Sequence, residues 1–216
     1  MKKQSTLGDV LIGFEAGKSF KTSEALARDD ELGVLKVSAV SWTAFKPEEA
    51  KAVIDHKPEE HHRIRRGDLL ISRANTKELV GAVVLVEKDY PFRLLSDKTL
   101  RLIIDTERAD KGYLLYALRS GAARKHIEHF ASGANESMCN IAQGVITSIP
   151  IPLPCIDEQR RIATYLKTQL AAVEEARIAA KTQLSEIELL PSRLLSAVFG
   201  PVSSAQDDAV LVSDDL

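Results

Sequence analysis

The sequence predicts an α+β protein, one mixed, strand-rich domain followed by a single long helix whose apolar seam needs a partner helix. Three observations lead there. Short β-branched runs bounded by turn residues crowd the chain as far as about Leu153, and the alternating segment Ile149-Pro150-Ile151-Pro152-Leu153-Pro154 then interrupts them. Beyond Asp157 the apolar residues recur every three or four positions. The expected boundaries are 1–153 for the mixed domain, 154–200 for the helix and 201–216 for an acidic, disordered tail.

In chain order, Gly33–Val37, Asp68–Ser72, Leu79–Val86 and Thr99–Ile104 read as core strands. Pro47–Val53 reads as a short helical patch, and Lys111–Phe130 as a longer one in which Leu114, Leu115 and Leu118 share a face and Gly121 permits a break. The proline-alternating segment forbids helix and interrupts any ladder, because every second residue has a fixed φ and no N–H, so it predicts a stiff extended connector. Asp157 then caps a helix and Glu158 adds favourable charge to its first turn. Its stripe is Gln159, Ile162, Leu166, Leu170, Val173, Ala176, Ala180, Leu184, Ile187 and Leu190. At 1.5 Å per residue, Asp157–Leu190 spans roughly 51 Å. Pro191 predicts a kink or an end, with Leu194, Leu195, Val198 and Phe199 adding a turn or two before Gly200. A long helix with one apolar seam needs a partner.

Composition narrows the function. The chain has 216 residues with 29 Lys+Arg against 31 Asp+Glu, a net charge of −2, and so lacks the strong basic bias of an autonomous nucleic-acid-binding domain. Four of the acids, Asp207, Asp208, Asp214 and Asp215, lie in the tail, which leaves Met1–Gly200 at net +2. His61–Lys77 holds Arg63, Arg65, Arg66, Arg73 and Lys77 against Asp68 alone, a candidate phosphate-facing patch. No stretch approaches the roughly 18 apolar residues of a membrane span and no apolar signal core follows Met1, so the expectation is a cytoplasmic protein without a membrane partner. Cys139 and Cys155 form no metal-ligand spacing and read as packing residues.

Candidate enzymatic motifs fail on spacing. Gly13-Phe14-Glu15-Ala16-Gly17-Lys18-Ser19 has three residues between its glycines where a phosphate loop needs four, and Ile12 stands where Gly is required. His61-His62 beside Glu59 and Glu60, with His56 upstream, lack the spacings that set two metal ligands on one helix face. Ser72, Ser137 and Ser148 lie in no nucleophile elbow, and no Gly-x-Gly-x-x-Gly occurs. Two polar loops remain: Ser72-Arg73-Ala74-Asn75-Thr76-Lys77, rich in groups that pair with bases or phosphates, and Ala131–Asn140, whose Asn, Ser and Gly also suit an ordinary turn.

Gly67-Asp68-Leu69-Leu70-Ile71-Ser72-Arg73, the loop Ser132–Asn140 and the proline run followed by Asp157-Glu158-Gln159-Arg160-Arg161-Ile162-Ala163 together resemble the specificity subunit of type I restriction-modification systems, from Leu7 to about Gly200. The resemblance implies a non-catalytic target-recognition domain reading half of a bipartite DNA sequence, with the helix as spacer and docking surface. Subunits of this kind usually carry two such domains and two helices, and this chain has room for one of each. Two copies packed antiparallel through Ile162, Leu166, Leu170, Val173, Ala180, Leu184, Ile187 and Leu190 would rebuild the pair and read a gapped palindrome. Roughly 50 Å of helix corresponds to about one and a half turns of duplex at most.

In that frame Arg73, Asn75, Thr76, Lys77, Lys98, Asn135, Ser137 and Asn140 are the expected DNA-facing residues, with Arg and Asn the better matches to guanine and adenine edges. Arg63, Arg65, Arg66 and Lys125 are expected on phosphates. The resemblance further implies modification subunits as partners, and restriction subunits through them. S-adenosylmethionine and ATP are expected on those subunits, and no cofactor in this chain. A different reading, a coiled-coil assembly adaptor whose mixed domain binds protein, shares the same helix and unremarkable charge.

Overall fold

The computed structural model describes residues 5–54, 58–135 and 138–200. It divides into a unit extending to Leu166 and a second from Lys167. In chain order the first unit contains β1 (Leu11–Ala16), β2 (Thr22–Leu26), β3 (Gly33–Leu35), β4 (Ala50–Val53), β5 (Arg63–Ile64), β6 (Leu69–Ser72), β7 (Ala74–Asn75), β8 (Val83–Leu85), β9 (Tyr90–Leu94) and β10 (Thr99–Ile104). There follow α1 (Lys111–Leu118), α2 (Gly121–Phe130), β11 (Ser132–Asn135), β12 (Met138–Asn140), α3 (Gln143–Thr147) and the start of α4 (Ile156–Phe199). The fold is α+β: mixed sheets and a long C-terminal helix.

A four-stranded antiparallel sheet, β1-β10-β6-β8, is the frame. All four residues of β6 are buried because both faces of the sheet are covered. Side chains alternate across a strand, so Leu69 and Ile71 enter a core with Leu100, Leu102, Leu114, Leu118, Ile127 and Ile146, while Leu70 joins Val84, Val40, Ala50, Ile64 and Leu95 on the other side. A five-stranded sheet, β2-β4-β3-β9-β5, contributes to this second core, and a small one, β11-β12-β7, completes the unit.

Several local expectations change. Pro47–Val53 is not helical: Ala50 and Ala52 are buried between half-exposed Lys51 and Val53, a two-residue period that pairs Lys51 with Val34 in β3. In Leu79–Val86 only Val83–Leu85 is strand, since Gly81 takes φ +81° and turns the chain. Lys111–Phe130 does divide, just before Gly121: Asp110 Oδ1 accepts from Tyr113 N at 2.8 Å and Ser120 Oγ from Ala123 N at 3.3 Å, so each helix has its own cap. Cys139 is buried but Cys155 is exposed.

The proline-alternating connector is extended, yet it is also fastened. Ile149 O accepts from Leu7 N at 2.9 Å and Ile151 N donates to Ser5 O at 3.0 Å. The prolines occupy the alternate positions, so their missing N–H groups fall where this pairing needs none. Helix α4 starts at Ile156, one residue before the expected cap, and continues through Pro191 to Phe199. Gln159, read as part of the apolar stripe, is wholly buried: Oε1 accepts from Asp110 N at 3.0 Å, and Nε2 donates to Arg108 O at 3.1 Å and Pro154 O at 2.9 Å. Ile162 and Ala163 pack on the first unit's own core. In the second unit Leu170, Val173, Leu184, Ile187 and Leu190 are all exposed, between 48% and 62%.

Candidate nucleic-acid interface

At the C-terminal end of β6 three segments meet. Arg73 N donates to Lys98 O at 3.0 Å, just before β10 begins, and Arg73 O accepts from Ile141 N at 2.9 Å, just after β12 ends. Ala74 then pairs with Asn140 and Asn75 with Cys139. The second polar loop is thus a hairpin of β11 and β12, not an isolated turn, and β7 is its third strand. This end of the unit carries Arg73, Thr76, Lys77, Lys98 and Asn140. Among the described residues the guanidinium of Arg73 has no hydrogen-bond or ion-pair partner, and the amide of exposed Asn140 has none. Lys98 is exposed and sits 3.4 Å from Asp97. Thr76 is half-buried and Lys77 exposed.

Other expected contacts fall elsewhere. Asn75 is 3% exposed and fully employed: Nδ2 donates to Val37 O at 3.0 Å and Ser72 Oγ at 3.4 Å, and Oδ1 accepts from Thr76 N at 2.8 Å. It is therefore removed from the DNA-facing set. Asn135 closes β11 opposite Met138, and Ser137 lies outside the described residues. Arg63 and Arg65 both pair with Glu60, at 3.1 and 2.8 Å. Hydrogen bonding from Arg65, helped by the charge of Arg63, holds the Glu60 carboxyl below the usual carboxylate range. The apparent positive excess of His61–Lys77 is thus partly cancelled by a residue just upstream. Arg66 remains exposed, and its side chain has no partner among the described residues. Lys125 is exposed on α2.

Arg66 and Arg73 also stand at opposite ends of β6. Three hydrogen bonds pin the turn before the strand. Arg66 N donates to Asp89 Oδ1 at 2.9 Å, Arg65 N to Asp68 Oδ2 at 2.8 Å, Lys111 Nζ to Gly67 O at 2.7 Å, and Gly67 has φ +82°. Buried Arg101 completes it, donating to Asp68 at 2.8 Å, to His61 O at 2.8 Å and to Glu15. Sequence reading missed Arg101. Its register opposite Glu15 on one side and Leu70, two residues after Asp68, on the other is the signal, but that register exists only once β1, β10 and β6 are paired.

Among the described residues, the phosphate-loop and histidine candidates are taken up in ordinary structure. Gly13–Ala16 is part of β1, and a Cβ on Gly17 would lie 2.1 Å from Leu95 O, so this glycine serves a close backbone approach rather than a phosphate nest. His61 and His62 lie in a 3-10 turn, and among the described residues no three His, Cys, Asp or Glu side chains gather as metal ligands. Among the described helices none is long and apolar enough to cross a membrane.

The first unit is thus a frame of mixed sheets with polar side chains gathered at one end. The chain belongs to the type I restriction modification DNA specificity domain family, whose model matches residues 2–183. It is 28% identical over 195 residues to the type I restriction enzyme EcoEI specificity subunit of Escherichia coli, covering 85% of this chain and 33% of that protein. It is 30% identical over 165 residues to the putative type I restriction enzyme MjaX specificity subunit of Methanocaldococcus jannaschii, covering 74% and 37%. The chain thus spans about a third of the length of these relatives. In fold it resembles the HsdS subunit from Thermoanaerobacter tengcongensis, with a TM-score of 0.61 at 21% identity over 96% of this chain and 51% of that one. The S subunit from M. genitalium gives a TM-score of 0.54 at 15% identity, over 81% and 41%.

Proposed function

We propose that this chain reads one half of a bipartite DNA target with the end of the unit formed by Arg73, Thr76, Lys77, Lys98 and Asn140, and performs no catalytic step itself. The observation that carries the reading is the guanidinium of Arg73, without a partner among the described residues although its backbone is fixed on both sides by Lys98 and Ile141. A planar donor fork carried on a fixed backbone suits bidentate pairing to guanine. Arg66, at the other end of β6 from Arg73, and Lys125 on α2 supply phosphate contacts.

The exposed seam Leu170, Val173, Ala180, Leu184, Ile187 and Leu190 supports a second element of the proposal: two copies pack their helices antiparallel, so the homodimer reads a gapped palindrome. The assembly docks modification subunits carrying S-adenosylmethionine, and through them restriction subunits carrying ATP. Near-neutral charge implies modest affinity for the chain alone and tighter binding in the complex.

Selection from a random duplex pool by the chain assembled with a type I modification subunit, at two salt concentrations, tests this. Enrichment of a two-part sequence is the expected result. Protein association with no salt-sensitive DNA binding would favour the assembly-adaptor reading instead.

A further inference from the structure

The loop between β7 and β8 is held by side chains from outside it. Trp42 Nε1 donates to Glu78 O at 2.8 Å, Arg124 Nη1 to Val80 O at 2.8 Å and Arg124 Nη2 to Lys77 O. Arg119 adds Nε and Nη2 bonds to Val83 O at 3.1 and 2.9 Å. Within the loop, Thr76 O accepts from Leu79 N at 3.0 Å and Val80 N at 2.8 Å, and Gly81 N donates to Ser72 O at 2.7 Å. Gly81 lets α2 approach, since a Cβ there would lie 2.7 Å from Ile127.

Arg124 is central to this clamp. Its guanidinium carbon lies 5.2 Å from the Trp42 ring centroid, and Nε pairs with Glu128 one helical turn on, at 2.7 Å. All three of its nitrogens are therefore in use, which argues against a role as a phosphate ligand. Val80 is wholly buried, so its carbonyl needs a protein donor, whereas that of exposed Lys77 could be left to water. A rigid fork bridging the carbonyls of Lys77 and Val80 instead fixes the distance and angle between them.

We infer that Arg124 is a positioning residue for sequence reading: without touching DNA, it holds the Thr76–Lys77 turn in the one conformation that meets the duplex. The inference rests on the DNA reading above. A lysine keeps the charge and most of the stem but carries all its donors on one nitrogen, so Arg124→Lys removes the planar fork that spans the Lys77 and Val80 carbonyls together with the Nε bond to Glu128.

Two readouts on the full chain test it. In hydrogen exchange, the amides of Leu79–Ala82 in R124K should exchange at least about tenfold faster, while those of Leu70 and Leu100 are unchanged. With the duplex enriched by the wild-type assembly and an unrelated duplex of equal length as probes, the assembly carrying R124K should lose about tenfold in discrimination. Its affinity for the unrelated duplex and its salt slope should hold within about twofold. Unchanged exchange would overturn the clamp, and unchanged discrimination despite faster exchange would overturn its role in reading. A wild-type assembly that enriches no sequence would overturn the DNA reading and that role together, leaving the exchange result to judge the clamp alone. Should R124K fall in thermal midpoint with both core and loop amides accelerated, the residue is merely structural and the inference fails.

Discussion

Cys139 lies directly opposite Asn75 across the β12–β7 ladder, which joins two polar segments far apart in the chain into one small sheet. That pairing decides what Asn75 can do. Facing inward with both amide ends occupied, it organises the turn into Thr76 and offers nothing to a ligand. Asn75→Ala should cost about 1–3 kcal/mol of stability by leaving Val37 O and Thr76 N unsatisfied. A urea-unfolding midpoint equal to wild type would contradict the assignment.

Arg73 and Arg66 should separate cleanly in binding. Arg73→Ala removes the proposed base-reading fork and is expected to relax preference at one base pair by about 1–3 kcal/mol, whereas Arg66→Ala should weaken all duplexes alike and reduce the salt slope by about 1. Neither should move the unfolding midpoint much, because neither guanidinium has a partner to lose among the described residues. Competition binding against single-base variants of the selected duplex distinguishes the two patterns.

For Gln159 the expectation is stability, not affinity. Gln159→Leu keeps the side chain's bulk but strands Asp110 N and two carbonyls in the interior, a loss of about 1–3 kcal/mol for the donor alone. The check is chemical unfolding of the variant beside wild type at matched protein concentration, where an equal midpoint would show the amide to be dispensable.

How much of this was legible in the sequence depended on how local the cause was. The α1–α2 break and the long helix rest on caps and periodicity within a few residues of Ser120 and along 157–190, and both were readable. Pro47–Val53 was misread because the alternation of Ala50 and Ala52 acquires meaning only beside β3. Site residues followed the same rule. Arg73 was proposed from its own chemistry, but the inward face of Asn75, the neutralisation of Arg65 by Glu60 and the clamping by Arg124 are tertiary facts that no window of sequence contains.

Glu49 predicts a modest acid sensitivity. Lys36 Nζ at 2.6 Å and Ser38 Oγ at 2.7 Å hydrogen-bond its carboxylate, and this lowers its pKa below the ordinary value. A carboxyl whose folded-state pKa is depressed contributes stability that is fully present above its unfolded pKa of about 4.3 and is lost as pH falls through the folded value. Glu49→Gln should therefore flatten the decline in stability below about pH 4.5 while changing little at pH 7, since the pair is part-exposed and screened. Thermal midpoints between pH 3 and 7 would reveal a parallel decline if the pair contributes nothing.

The helix offers the sharpest contrast, because Ile162 and Leu184 share a stripe but not an environment. Ile162 packs against the core of its own unit, whereas Leu184 is 57% exposed. Ile162→Asp should thus destabilise the fold by several kcal/mol at any concentration, through a charge forced against that core. Leu184→Asp should leave the first unit's unfolding unchanged and instead weaken association by several kcal/mol, since its carboxylate would be buried only when a second helix covers the seam. Sedimentation equilibrium reads the difference directly. A lone L184D monomer beside a wild-type dimer is the expected result, and a dimer of undiminished strength in L184D would assign the seam to some other occupant.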